Sequence, residues 1–468
     1  MRETENFLDR VKRLAGRNKA LQGQLEQLVS RIVEVENQSR QYQDVLLKYS
    51  TDKAETIHDR RKLTRRLRMV SVLYISVQGF EKLYRLDNPN VKVDLLDEIY
   101  LSFEDIAFRN NIVKLNSLGD MMLYGAGLQG ENRTNPIDTI RVALEMLETA
   151  QKLDDNSNGG FWEIKFGIHT GPVLAIPNDN RSSDFNFSGD SINTACRIGE
   201  SAQPGTISVS VMTYELIKEF FDTELTGYMP VKYKGNIETY SIKGYHPEFI
   251  SADSISKPNG HFHTRYMLLK FMDLQEEMLD YLEVNLPDNL YYHNVKHTID
   301  VVTEVELIGW AEGINEEEIL LLKFAALFHD AGHTISYKDH EYHGTVMARE
   351  KLNSYDYSQE QIDIVCRLIM ATKMPPRPKG ILEKIICDAD LDYLGRRDFI
   401  PVSNALYREF KERDMVPSLE EWNKMQLNFI RQHQYFTETA QQLREVNKNS
   451  QISRLEKLIQ ESVESNSL

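Results

Sequence analysis

The sequence predicts a multidomain protein: an N-terminal coiled coil, an α/β domain, and a C-terminal run of helices. Three observations carry that reading. A heptad seam occupies the first segment. Strand-like and helix-like apolar periods alternate between Met69 and Tyr245. From Tyr266 onward, apolar residues recur at helical spacing. A chain of 468 residues accommodates two or three domains, and a hydrophobic content of 41% is enough to give each a core.

The coiled coil comes first. Phe7, Val11, Leu14, Asn18, Leu21, Leu25, Leu28, Ile32 and Val35 alternate spacings of four and three, and the seam continues through Ser39, Tyr42, Leu46 and Tyr49. A helix packed on a globular core would carry a wider apolar stripe. With Phe7 at d, Asn18 falls at a, where an amide favours parallel dimers and fixes register. The expectation is a parallel homodimer. From Lys53 to Arg68 the pattern dissolves into charge (Arg60, Arg61, Arg65, Arg66, Arg68) without interleaved aromatics, which predicts a solvated connector helix rather than a nucleic-acid contact.

In the second segment, MVSVLYISV and FWEIKFGIHTGPVLAI read as strands, and VDLLDEIYLSFEDIAF and IDTIRVALEMLETAQKL as amphipathic helices. LGDMMLYGAG, IHTGPVLA, GDSINTACRIGESAQPGTISVS and KYKGNIETYSI, in that order, resemble the class III nucleotidyl cyclases over the whole domain. The resemblance implies an α/β class III cyclase-like fold that dimerises head-to-tail, with nucleotide sites at the interface. It carries the second metal-binding Asp onto Asp120, but the first falls on Ser76, and a hydroxyl is a poor substitute where magnesium wants carboxylate oxygens. The base-reading pair falls on Asn116 and Asn186, and amides both donate and accept. The transition-state groups map to Asn193 and Arg197, and the phosphate contact to Lys234. This pattern implies a nucleotide-binding regulatory domain more than a competent cyclase.

A linker rich in Ser, Pro and Gly follows, HPEFISADSISKPNGHFH. In the third segment, Tyr291 to His343 gathers His293, His297, His329, His333 and His340 around Asp330. Residues four apart share a helix face, so His293 pairs with His297 and His329 with His333. Imidazole mixed with carboxylate suits zinc, manganese, iron or magnesium, and burying such a set without a metal or partners is costly. The segment ICDADLDYLG offers Asp388, Asp390 and Asp392 as further carboxylates.

This constellation resembles the HD superfamily of metal-dependent phosphohydrolases, which implies an all-α HD domain. On that resemblance His297, His329, Asp330 and Asp390 hold one divalent metal ion. His333, His340 and Glu341 are candidates for a second ion or for supporting the first. The opening Tyr292, His293, Asn294 and His297 is closest to the mammalian-type cyclic-nucleotide phosphodiesterases. There the first His protonates the leaving oxygen, here His293, and a late QxxF element clamps the base, here Gln426 and Phe429. Gly332 departs from that branch, which has Asp at this position. Lone histidines are more often core residues than ligands, which is the reading for His263 and His433.

A formal charge of −16 argues against general binding to nucleic acid or anionic membranes. Three widely spaced cysteines suit a reducing compartment, and no apolar run approaches a membrane span. The expected location is cytoplasmic. The expected domains are 1–67 coiled coil and connector, 68–246 cyclase-like, 247–262 linker and 263–468 HD. The expected function is hydrolysis of 3′,5′-cyclic nucleotides at the HD site under a nucleotide-binding regulatory domain. The alternatives are a nucleotide cyclase with an attached phosphodiesterase, or a non-enzymatic nucleotide-responsive dimeric switch.

Overall fold

The computed structural model describes residues 65–83, 90–128, 132–155, 161–177, 185–231, 235–251, 254–355 and 357–465. The predicted coiled-coil seam and Lys234 lie outside them. Arg65–Ala175 and Phe185–Leu468 form one compact unit.

The α/β part comprises strand β1 (Arg65–Gln78), helix α1 (Asn90–Arg109), β2 (Val113–Leu118), β3 (Met121–Ala126), α2 (Asn135–Asp155) and β4 (Glu163–Pro177). After these come β5 (Phe185–Ser188), α3 (Asp190–Ser201), β6 (Ile207–Ser210), α4 (Val211–Ile217), β7 (Phe221–Val231) and β8 (Gly235–Tyr245). The sheet runs β2-β3-β1-β4-β6-β8-β7, with β5 also paired to β4. Strand β1 is buried on both faces, which explains its unbroken apolar run. Leu73, Ile75 and Val77 join the core shared with α1 and α2, while Val70, Val72 and Tyr74 pack with Ala195 of α3.

Two sequence expectations are corrected here. Arg65–Arg68 are not in a connector helix: β1 already begins at Arg65 and pairs Arg65, Arg66 and Leu67 with Ala175, Leu174 and Val173. Charge patterning reported the exposure of these arginines and missed their pairing with the far end of a long strand. The segment read as a linker also carries elements of its own among its described residues. A 3-10 turn (Pro247–Phe249) and a short hairpin, β9 (Ile250–Ser251) with β10 (Ser254–Pro258), lead into α5 (Gly260–Asn285). Phe249 and Phe262 are buried against Phe220, Phe221 and Tyr245. Aromatic residues in a Ser/Pro/Gly-rich stretch bury large areas, so the joint is packed.

The helical part continues with α6 (Val295–Ala311), α7 (Glu316–Phe328), α8 (His340–Asn353), α9 (Gln359–Ala371), α10 (Ile381–Asp390), α11 (Phe399–Lys411), α12 (Leu419–Gln432) and α13 (Glu438–Ser465). Helix α7 is apolar all round: Ile319 to Leu322 and Phe324 to Phe328 are all buried. It is therefore the central helix of this part. A second core gathers Trp422, Tyr393, Leu394 and Phe399. The last described helix, α13, is long, running for 28 residues from Glu438 to Ser465. No helix among the described residues is long and apolar enough to cross a membrane.

Candidate metal centre

Helix ends assemble the site. Asn294 caps α6 by accepting from the backbone N–H groups of Lys296 and His297, which fixes His297 in the first turn. Helix α7 ends at His329, and Asp330 leads a 3-10 turn, Ala331–Thr334, that carries His333. Helix α8 begins at His340. Its approach needs glycine twice, because a Cβ on Gly332 would meet the His340 carbonyl oxygen at 2.0 Å and one on Gly344 the Phe328 carbonyl oxygen at 2.4 Å. The glycine that departs from the phosphodiesterase pattern thus has a packing reason. Asp390 is the last residue of α10.

Four ligand-type atoms converge. His297 Nε2 lies 3.2 Å from Asp390 Oδ1 and 3.3 Å from His329 Nε2. Asp330 Oδ2 is 3.2 Å from His329 Nε2 and 3.4 Å from His297 Nε2. These separations are those of donors sharing one small divalent ion. Asp330 Oδ2 is buried and accepts no hydrogen bond, as expected of an atom aimed at a common point rather than at a donor. His329 Nδ1 donates to the Ala326 carbonyl oxygen at 2.8 Å, which turns Nε2 toward Asp330 and Asp390; burial opposes charge on this ring, but those two carboxylates raise its pKa.

The other oxygen of Asp330 faces a second group. Oδ1 is 3.5 Å from His340 Nε2 and 3.9 Å from His333 Nε2, and His340 Nε2 lies 3.6 Å from Glu341 Oε1. The His333 and His340 rings stack with centroids 3.9 Å apart. Neither nitrogen of buried His333 has a hydrogen-bond partner. Burial pushes its pKa down to about 3, so it stands neutral, the form that binds metal. Burial disfavours charge on Asp330 too, but His329 and His293 hold its carboxyl well below the usual carboxylate range. The donors fit one divalent ion, and a second if Asp330 bridges.

His293 sits beside these ligands but is held otherwise. Its Nδ1 is 2.5 Å from Glu409 Oε1, and Glu409 Oε2 accepts from the backbone N–H groups of Tyr292 and His293 at 3.1 and 3.3 Å. Tyr337 donates to Oε1 at 3.1 Å. Burial opposes charge on His293, yet Asp330 and Glu409 raise its pKa. Glu409 is fully buried. Sequence reasoning missed it and Tyr337, since REFKERD carries no motif and nothing local links it to His293.

Other predicted residues fall elsewhere. Asp388 accepts from the Phe436 and Thr437 backbone and from Thr437 Oγ1, and Asp392 pairs with Arg444. Gln426 is buried with its Oε1 unpartnered and its side chain hydrogen-bonded to the Tyr393 hydroxyl, and Phe429 packs near His433. Neither lines the cleft of about 270 Å³ that opens on His297 and Asp390 between Tyr292, Tyr393, Lys296 and Arg396. His263 is exposed rather than core; His433 is buried, but neither ring nitrogen is partnered.

In the α/β part, buried Ser76 lies on β1 opposite Met121 and Lys165. Asp120 is exposed at the β2–β3 turn, its carbonyl oxygen accepting from Val77 N–H at 2.9 Å. Asn116 on β2 and Asn186 on β5 are exposed, as are Asn193 and Arg197, one helical turn apart on α3.

Comparison with known proteins agrees with both halves. Residues 64–244 match the adenylate and guanylate cyclase catalytic domain, and residues 294–392 match the HD domain. The chain therefore carries a class III cyclase-type catalytic domain followed by an HD domain. Human guanylyl cyclase C is 29% identical over 181 residues, covering 37% of this chain and 17% of that protein. The receptor-type guanylate cyclase gcy-13 of Caenorhabditis elegans is 28% identical over 184 residues, covering 38% and 18%. The chain thus spans less than a fifth of these relatives. Among solved structures, the guanylate cyclase domain of RhGC from Catenaria anguillulae in complex with GTP is 25% identical, covering 39% of this chain and 100% of that one, with a TM-score of 0.35. An adenylate/guanylate cyclase/hydrolase from Silicibacter pomeroyi is 19% identical, covering 38% and 97%, with a TM-score of 0.30.

Proposed function

We propose that this protein is a metal-dependent phosphohydrolase acting on 3′,5′-cyclic nucleotides at its HD site, with the cyclase-type domain as a nucleotide-binding regulatory domain. The observation that carries the reading is the convergence of two ligand-type groups, His297, His329 and Asp390 in one and His293, Asp330 and His333 in the other, joined by Asp330, whose Oδ2 lies 3.4 Å from His297 Nε2 while Oδ1 lies 3.5 Å from His340 Nε2. A divalent ion held there would polarise a phosphoryl oxygen and make water a better nucleophile. His293 holds a proton on Nε2, delivers it to the leaving alkoxide, and is oriented for this by Glu409 at Nδ1. Tyr292 and Tyr393 give the adjoining cleft apolar walls beside the ligands, a seat suited to a base and ribose.

The test is a panel of 3′,5′-cyclic and ordinary nucleotides offered to the full chain with Mn²⁺, Mg²⁺ or Zn²⁺. Turnover of cyclic substrates that disappears in Asp330→Asn supports the proposal; cleavage of non-cyclic nucleotides alone replaces it with a broader phosphohydrolase. The cyclase-domain match favours a second reading, synthesis of a cyclic nucleotide. It requires cyclic product from a nucleoside triphosphate in the same panel, lost on Asp120→Asn. Ser76 in place of a metal carboxylate weighs against it.

A further inference from the structure

We infer that α5 is a rigid transmission element between the two domains, and that Arg133 is the residue that couples it to the nucleotide-binding half. The inference deepens the regulatory reading proposed above and rests on it. Arg133 lies two residues before α2, the helix that packs on β1 and β3; Ser76 is near the end of β1, and Asp120 sits in the turn just before β3. Its backbone N–H donates to Asp273 Oδ2 at 2.9 Å, and its guanidinium grips Asp273 and, at 2.5 Å, Glu276, one turn apart on α5. A planar guanidinium spanning two carboxylates fixes direction as well as distance.

A second tie lies one turn along α2. Tyr266 of α5 donates to Asp138 Oδ1 at 2.7 Å, and the Arg141 guanidinium lies 5.4 Å from the Tyr266 ring centroid. On its other side, α5 seats Phe271 edge-on to Phe324 of α7, centroids 5.0 Å apart, both fully buried. Phe324 belongs to the helix that ends at His329 and Asp330. Packed interiors transmit displacement because they lack voids to absorb it. A nucleotide that shifts β1 and β3 therefore acts on the metal ligands through α2, α5 and α7. At the joint, Phe249 and Phe262 pack edge to face, centroids 5.7 Å apart.

The test uses the full chain, with ATP and GTP as probes, and two readouts. The first is cyclic-nucleotide hydrolysis with and without each probe; the second is amide hydrogen exchange of residues 324–333. In the unsubstituted protein, one of the probes should change both, with a rate change of about fivefold or more. Arg133→Ala should lose both responses while keeping the rate measured without probe. Glu276→Gln alters only the more exposed carboxylate, so it serves if Arg133→Ala fails to fold, and it should weaken both responses. Responses of undiminished size in both variants would overturn the coupling. So would probe binding that protects β1–β3 yet leaves 324–333 unchanged. Exchange does not require turnover: a protein that hydrolyses nothing but still transmits to 324–333 would contradict the hydrolytic reading and leave the coupling standing.

Discussion

Glu409 illustrates what a single side chain contributes. Its carboxylate meets His293 Nδ1, two backbone N–H groups and the Tyr337 hydroxyl, and no part of it reaches solvent. It is a positioning residue, acting through His293. Glu409→Gln should leave metal content and KM near those of the unsubstituted enzyme but lower kcat by roughly 10²-fold, the lower range for losing a placed general acid. Metal loss in step with activity would instead mean that Glu409 merely holds the site together. The candidate ligands His297, His329 and Asp330 stand out in the sequence because their spacing is local: HDAGH on one helix end, YYHNVKH on another. Glu409 was illegible because its partner lies 116 residues away, and burial of one Glu leaves no periodic trace. Gln426 matched a spacing, and it lies one side chain back from the cleft, hydrogen-bonded to Tyr393.

At the scale of elements, periodicity located the helices and strands well wherever one face was apolar. It failed at Arg65–Arg68 and at the joint, where strand pairing and aromatic packing are long-range. The break between α12 and α13 offers a test. His433 caps α12, and its ring is buried between Phe429 and Tyr435 without hydrogen-bond partners. Burial, assisted by nearby Lys448, depresses its pKa to about 4. The unfolded chain, with an ordinary value near 6.5, binds this proton more readily. Stability is therefore fully present above about pH 6.5 and is lost as pH falls toward 4, by up to about 3 kcal/mol. His433→Phe should flatten that part of the stability profile in chemical denaturation. An unchanged difference between pH 7 and pH 4.5 would show that the imidazole does not charge on unfolding.

For the whole molecule, the fold class was legible in the order of segments, but the union of the two domains was not. A Ser/Pro/Gly-rich composition signals a flexible connection, whereas the Arg133–Asp273–Glu276 clamp and the aromatic joint tie the halves into one unit. The clamp links residues 140 and 143 positions apart. Such pairings are set by tertiary packing, which a local pattern does not encode. The whole-molecule consequence is a cluster of candidate metal ligands at the end of a helix that is braced, through α5, against the cyclase-type domain.

The most direct test of the central claim is a titration of chelated, metal-free full-length protein with Mn²⁺, following bound metal and the rate of 3′,5′-cyclic nucleotide hydrolysis in parallel. The account predicts no turnover without metal and a rate that rises with occupancy of the site formed by His297, His329, Asp330 and Asp390. Full turnover in the metal-free protein, or a fully loaded protein that leaves every cyclic nucleotide intact, would contradict it.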